Sequence, residues 1–249
     1  MNKKFANFRF YEELNDFLAK DRRKVSFKYC FTGDPSVKDV IEMIGVPHGE
    51  IDLILVNGQP VGFDYRLADQ DNVSVYPMFE AIDISSVSHY LRPKPLRVIQ
   101  FILDVHLGKL TKYLRICGFD CLFENLPDSE IVELSLQEKR IILTKDRGLL
   151  KNKRVTHSYW IRSDDPLEQL LEVFNRFDLK NKIEFLVRCL VCNSRLQEIA
   201  KEEVKDKVPS NTLLYYDKFL LCPHCKKIYW EGSHFQNMTR LLEFIKQDS

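Results

Sequence analysis

Val98-Ile99-Gln100-Phe101-Ile102-Leu103-Asp104 is a short, nearly continuous apolar run that ends on a carboxylate. A run of this length and composition suits a strand buried on both faces, as in a parallel sheet covered by helices. Two further runs share the design. Arg140-Ile141-Ile142-Leu143-Thr144 leads into Lys145-Asp146-Arg147, and Ser158-Tyr159-Trp160-Ile161-Arg162 leads into Asp164-Asp165. Helical patterns lie between and after them. Leu107, Leu110 and Leu114 share one face of a segment over 107–115, and 128–136 is also helical. Pro166-Leu167-Glu168 follows Asp165 as N-cap, with proline at the first helical position. Strand and helix in alternation predict parallel pairing with right-handed crossovers.

In such sheets the working crevice lies beyond the carboxyl ends of the strands. Asp104 and Asp146 stand there, Asp164 or Asp165 follows a third strand, and Asp128 and Glu130 open a helix that can lean over the same edge. Each Asp taken singly is also a good helix cap. Carboxylates gathered on one edge repel each other unless a cation neutralises them, and hard oxygen ligands suit Mg²⁺ or Mn²⁺. Such an ion can activate water and stabilise charge on a phosphodiester. Lys145, Arg147, Lys151, Lys153 and Arg154 crowd around Asp146. Lys109, Lys112 and Arg115 recur every third residue along the first helix. Basic side chains beside an acidic site suit a polyanionic substrate, although such runs are also common as solvated surface.

Downstream, Cys189-Leu190-Val191-Cys192 and Cys222-Pro223-His224-Cys225 form two Cys-x-x-Cys pairs, each after a strand-like run. Two such knuckles complete a tetrahedral thiolate site, the pattern of a structural zinc ribbon. Four thiolates leave no open coordination position, so this zinc is expected to fold the segment rather than catalyse. Cys30, Cys117 and Cys121 are read as small buried side chains. Tyr229-Trp230-Glu231-Gly232-Ser233-His234 continues the last ribbon strand, where an aromatic pair serves packing or base stacking.

Upstream, Phe5–Phe10 and Val25–Phe31 read as strands, and Ser36 caps a helix with Val37, Val40, Ile41 and Ile44 on one face. Ile51–Val56 reads as a strand, Asn57-Gly58 as a hairpin turn and Asn72–Pro77 as a last strand. The order strand, strand, helix, strand, short strand, strand is that of ubiquitin-like β-grasp domains. The sulfur carriers of that superfold end in a free Gly-Gly, which is missing where this strand runs on into Met78-Phe79-Glu80. A binding or docking module is the expectation.

The chain has 249 residues, 45% hydrophobic and 29% charged, which excludes disorder over most of its length. A formal net charge of +1 says nothing about partners in bulk. The first segment is acidic and the two that follow are basic. No long uncharged apolar run is present and the N-terminus is charged, so the expectation is a cytoplasmic protein with reduced thiols and no membrane partner. The division expected is a β-grasp domain over 1–84, a connector over 85–96 containing Pro93 and Pro95, an α/β domain over 97–180, and a zinc ribbon with a C-terminal helix over 181–249.

Taken together, Phe101–Leu110, Leu114–Asp120, Ile142–Asp146, Cys222–Cys225 and Tyr229–His234 resemble the PIN-like RNase domain family named for the C-terminal region of the Mut-seven exonuclease. Gly45-Val46-Pro47-His48 with Leu53–Gly58 resembles the ubiquitin-like domain often fused in front of it. The resemblance implies an α/β chain: a ubiquitin-like β-grasp, a PIN-like parallel-sheet domain and a zinc ribbon. It implies a ribonuclease that hydrolyses RNA with Mg²⁺ or Mn²⁺. By the family pattern Asp104 and Asp146 match the strand-end acids. Asp128 matches the helix-borne acid, with Glu130 competing, and Asp164 or Asp165 is the last. Lys145 stands where the family more often has Arg. Lys109, Lys112, Arg115, Lys145 and Arg147 are the expected contacts to RNA, with tRNA, rRNA and other structured RNAs as candidates. The alternative is a catalytically weak RNA-binding or adaptor protein, whose zinc ribbon holds RNA and whose β-grasp domain recruits a protein partner. Nothing in the residues reads a 2′-hydroxyl, so DNA stays open as a substrate.

Overall fold

The computed structural model describes residues 3–77, 99–232 and 235–236. The expected connector over 85–96, the continuation Met78-Phe79-Glu80, Ser233, His234 and the expected C-terminal helix lie outside the described residues. The chain packs as two compact units, Met1–Val98 with Leu126–Trp160, and Ile99–Asn125 with Ile161–Ser249. Each unit draws on more than one of the sequence segments.

In the first unit, β1 (Lys4–Phe10), β2 (Phe27–Phe31), β3 (Ile51–Val56), β4 (Gln59–Pro60) and β5 (Asn72–Pro77) form one sheet in the order β2-β1-β5-β3-β4. β1 runs antiparallel to β2 and parallel to β5, the arrangement of a β-grasp. Alternation along β1 places Ala6, Phe8 and Phe10 on the buried face. The helix Val37–Ile44 covers them with Val37, Val40 and Ile41. Ser36 caps it by accepting from the Asp39 amide at 3.1 Å, and the Ser36 hydroxyl donates to the Asp39 carboxylate at 2.7 Å. Asn57 and Gly58 both adopt positive φ, 51° and 81°, which the tight β3–β4 turn requires.

The same unit includes the helix Asp128–Glu138, β8 (Ile141–Thr144), the short helix Arg147–Leu150 and β9 (Ser158–Trp160), with β8 and β9 parallel. This stretch packs into the β-grasp core. Leu150 is fully buried within the same cluster as Phe8, Phe10, Leu14 and Phe17, and Trp160 packs against that cluster. Burying one such leucine contributes about 1.5–3 kcal/mol. The approach is close: a Cβ on Gly49 would lie 2.5 Å from Ser158 Oγ and 3.2 Å from Val155 Cγ1, so a larger residue there would force those side chains to shift.

In the second unit, β6 (Gln100–Leu103) pairs in parallel with β7 (Asp120–Phe123), joined by the helix Gly108–Ile116. That helix packs on the helix Pro166–Arg176 around Leu110, Leu114, Leu170, Val173 and Phe174, all buried. β10 (Gln197–Ile199), β11 (Phe219–Leu221) and β12 (Ile228–Tyr229) form an antiparallel ribbon, and a helix over Ser210–Tyr215 lies between its first two strands. The three expected apolar strands are present over Gln100–Leu103, Ile141–Thr144 and Ser158–Trp160. β7 was not expected; its three apolar residues after Asp120 are too few to mark a strand by themselves. Among the described residues no helix is long and apolar enough to cross a membrane.

Candidate functional site

The expected acids stand where the strands stop. Asp104 follows β6 directly and is only 6% exposed; its Oδ1 accepts from the His106 amide at 2.8 Å. Asp146 is two residues past β8. Its amide donates to Thr144 Oγ1 at 2.8 Å, and its exposed carboxylate accepts from the Gly148 amide at 2.6 Å. Both therefore open helical turns while one carboxylate oxygen forms the cap. Asp128 and Glu130 are exposed in the first turn of the helix Asp128–Glu138, where its positive end favours carboxylates. Asp165 caps the helix Pro166–Arg176 by accepting from Leu167 and Glu168 amides at 2.8 and 3.1 Å, and Asp164 beside it is exposed. Glu172 carries no motif that would single it out in the sequence. It accepts from the Arg162 and Ser163 amides at 2.9 and 2.7 Å and so fixes the turn that carries Asp164 and Asp165. A glutamate on a helix, without a motif, gives no sequence signal for that role.

The basic residues divide. Lys109 and Lys112 are exposed on the helix Gly108–Ile116. Arg115 does not join them, which corrects the expected stripe of three. It is 4% exposed, and its guanidinium donates to the carbonyl oxygens of Cys121 (3.1 and 2.7 Å), Leu190 (3.1 Å) and Val191 (2.9 Å). The reason is helical geometry. A three-residue spacing drifts by about 60° per step around a 3.6-residue helix, so the third member faces about 120° away from the first. Burial lowers the Arg115 pKa from its ordinary value, opposed by neighbouring thiols and Asp120. Lys145 is half-buried, and the Arg147 guanidinium lies over the rings of Phe17 and Trp160, 5.0 and 4.7 Å from their centroids.

The cysteines come together as expected. The sulfur atoms of Cys189, Cys192, Cys222 and Cys225 all lie within 4.8 Å of one another. A tetrahedral Zn–thiolate site has sulfur–sulfur edges of about 3.8 Å, so the set fits such an ion. Burial opposes ionisation of Cys192, yet bonds from Ser194 and the neighbouring thiols pull its pKa down to about 5, toward the ligating thiolate. Tyr229 Oη lies 3.1 Å from Cys189 Sγ and accepts from the Leu190 amide at 3.2 Å, holding the first knuckle in place. Asn193 extends the support: its Oδ1 accepts from the Cys121 amide and its Nδ2 donates to Asp120. Arg188 pairs with Asp120 at 3.0 Å. The first knuckle is thus fastened to β7, with Arg115 beneath it. Among the described residues the four cysteines are the one group of three or more His, Cys, Asp or Glu side chains that gather at this spacing.

Residues 99–242, more than half the chain, match the model of the Mut7-C RNAse domain. The chain belongs to the Mut7-C RNAse domain family. Residues 3–83 match the Mut7-C ubiquitin model, so the fusion expected from the sequence is present. Comparison with curated proteins and with solved structures gives no match. The Mut7-C RNAse match spans Asp104, Asp128, Asp146, Asp164, Asp165 and both Cys-x-x-Cys knuckles. The Mut7-C ubiquitin match spans the whole described β-grasp sheet.

Proposed function

We propose that this protein is a ribonuclease that hydrolyses RNA phosphodiester bonds with Mg²⁺ or Mn²⁺ at the strand-end acids. The observation that carries the reading is the coincidence of the family match with acids placed immediately after parallel strands. Asp104, Asp128 and Asp146 are the residues assigned to the divalent ion, with Glu130 and Asp164 or Asp165 completing the acidic set. Lys109, Lys112, Lys145 and the exposed Arg147 contact the phosphate backbone; Arg115 does not, because its buried guanidinium is bonded to backbone carbonyls. The cysteine site takes zinc, four thiolates and knuckle spacing being its preferred donor set. RNA is the substrate class that the family implies, and tRNA and rRNA are candidates within it.

A second reading has its own support. Asp104, Asp146 and Asp165 each cap a helical turn, which gives each carboxylate a structural role without a metal ion. On that reading the chain binds RNA through its ribbon and lysines, without cutting it. Asp104→Asn and Asp146→Asn separate the two. The nuclease reading predicts that each variant binds RNA within a few-fold of wild type and loses at least about 100-fold in cleavage rate, the scale of a lost metal-ion contribution. Cleavage that survives both substitutions at the wild-type rate would remove the acids from the mechanism.

A further inference from the structure

The β-grasp domain presents part of its surface to its own chain. Phe17 packs against Trp160 with ring centroids 5.3 Å apart, and Arg147 lies over both rings. The Glu50 carboxylate, 0% exposed, accepts from the Trp160 amide at 2.9 Å. Trp160 Nε1 in turn donates to the Lys145 carbonyl oxygen at 3.3 Å. Leu150 closes the other end of the segment by its burial in the β-grasp core. Asp146 lies between Lys145, whose carbonyl Trp160 holds, and Arg147, which lies over Phe17 and Trp160; Phe17 and Glu50 of the β-grasp domain in turn hold Trp160.

We infer that Phe17, Glu50 and Trp160 are positioning residues for Asp146, and that the ubiquitin-like domain acts in cis on the candidate nuclease segment. The physical basis is restraint. A carboxylate that serves as a ligand must be held within a fraction of an ångström, and a four-residue helical turn after a strand has few contacts of its own. Here one aromatic ring anchors the carbonyl before Asp146, a guanidinium after it lies against two neighbouring rings, and a buried leucine ends the turn. Cation–π stacking on two rings also fixes the Arg147 side chain away from free rotation. The inference rests on the proposed role of Asp146, but the restraint itself is measurable whether or not RNA is cut.

The test is made on the full chain by amide hydrogen exchange over residues 144–150, together with the Mn²⁺ dependence of cleavage. The variants are Phe17→Leu, which keeps an apolar side chain, and Trp160→Phe, which keeps a ring and removes the Nε1 donor. Both are expected to keep metal content and cooperative unfolding. Exchange at Gly148, whose amide is bonded to Asp146, should accelerate by about tenfold or more while amides of β1 and β5 are unchanged. Half-saturation in Mn²⁺ should rise, and excess Mn²⁺ should restore cleavage, which a merely structural loss would not allow. Unchanged exchange at 144–150 in both folded variants would overturn the inference. If wild type cuts no RNA, the nuclease reading fails, and the exchange result still decides whether the β-grasp domain restrains Asp146.

Discussion

Arg115 shows how a residue's type can be read while its placement is missed. Spacing put it on a basic face; the structure buries it under the first cysteine knuckle, where it donates four hydrogen bonds to backbone carbonyls. Lysine has no planar fork and cannot span three carbonyls. Arg115→Lys should therefore lower unfolding stability by roughly 2–4 kcal/mol, since charged hydrogen bonds contribute and stranded buried carbonyls cost free energy. A chemical denaturation curve measures it, and an unmoved midpoint would remove Arg115 as the tie. His48 offers a second check. Burial, then Lys38, lowers its pKa below the unfolded value of 6.5, against the pull of Glu42 at 2.7 Å. Between the folded and unfolded pKa values the unfolded chain binds more protons, so stability is complete above pH about 6.5 and falls as pH drops through that window. The melting temperature should fall more between pH 7 and pH 5 in wild type than in His48→Gln. Parallel curves for the two proteins would show that His48 does not contribute. The strand-end positions of Asp104 and Asp146 were legible from the sequence because a carboxylate after an apolar run is a local pattern. Glu172 was not, because its role depends on a turn ten residues away.

At the scale of elements, apolar periodicity was a reliable guide to the long helices and to strands buried on both faces. The β-grasp order, the Ser36 cap and the Asn57-Gly58 turn were all local signals. β7 escaped because a four-residue strand holding Asp120 and Cys121 owes its existence to pairing with β6 rather than to its own composition. The cysteine knuckles were legible from spacing alone. Their attachment to β7 through Arg115, Asn193 and Arg188 was not. That attachment has a consequence for metal removal. The protein should bind about one zinc ion per chain, and Cys192→Ser should abolish it. Loss of the ion should raise hydrogen exchange in 188–196 and 219–229, and also at Cys121, whose amide bonds to Asn193. Exchange confined to the ribbon, with Cys121 as protected as before, would show that the knuckle does not support β7.

For the whole molecule, domain order could be read along the chain but packing could not. Sequence placed residues 126–160 in a nuclease segment and 1–84 in a separate module, while in the structure Met1–Val98 and Leu126–Trp160 form one compact unit. Contacts such as Phe17 with Trp160, and Leu150 in the β-grasp core, join residues more than a hundred positions apart and leave no periodic trace. The family matches place a Mut7-C RNAse domain and a Mut7-C ubiquitin domain on the same chain. The most direct measurement is the fate of 5′-labelled single-stranded and structured RNAs incubated with the full, zinc-loaded chain. It is made with Mg²⁺, with Mn²⁺ and without added divalent cation. Shorter RNA products are expected only when Mg²⁺ or Mn²⁺ is supplied. RNA that stays intact in every condition, while shifting into a protein complex, would contradict the nuclease assignment and leave an RNA-binding protein.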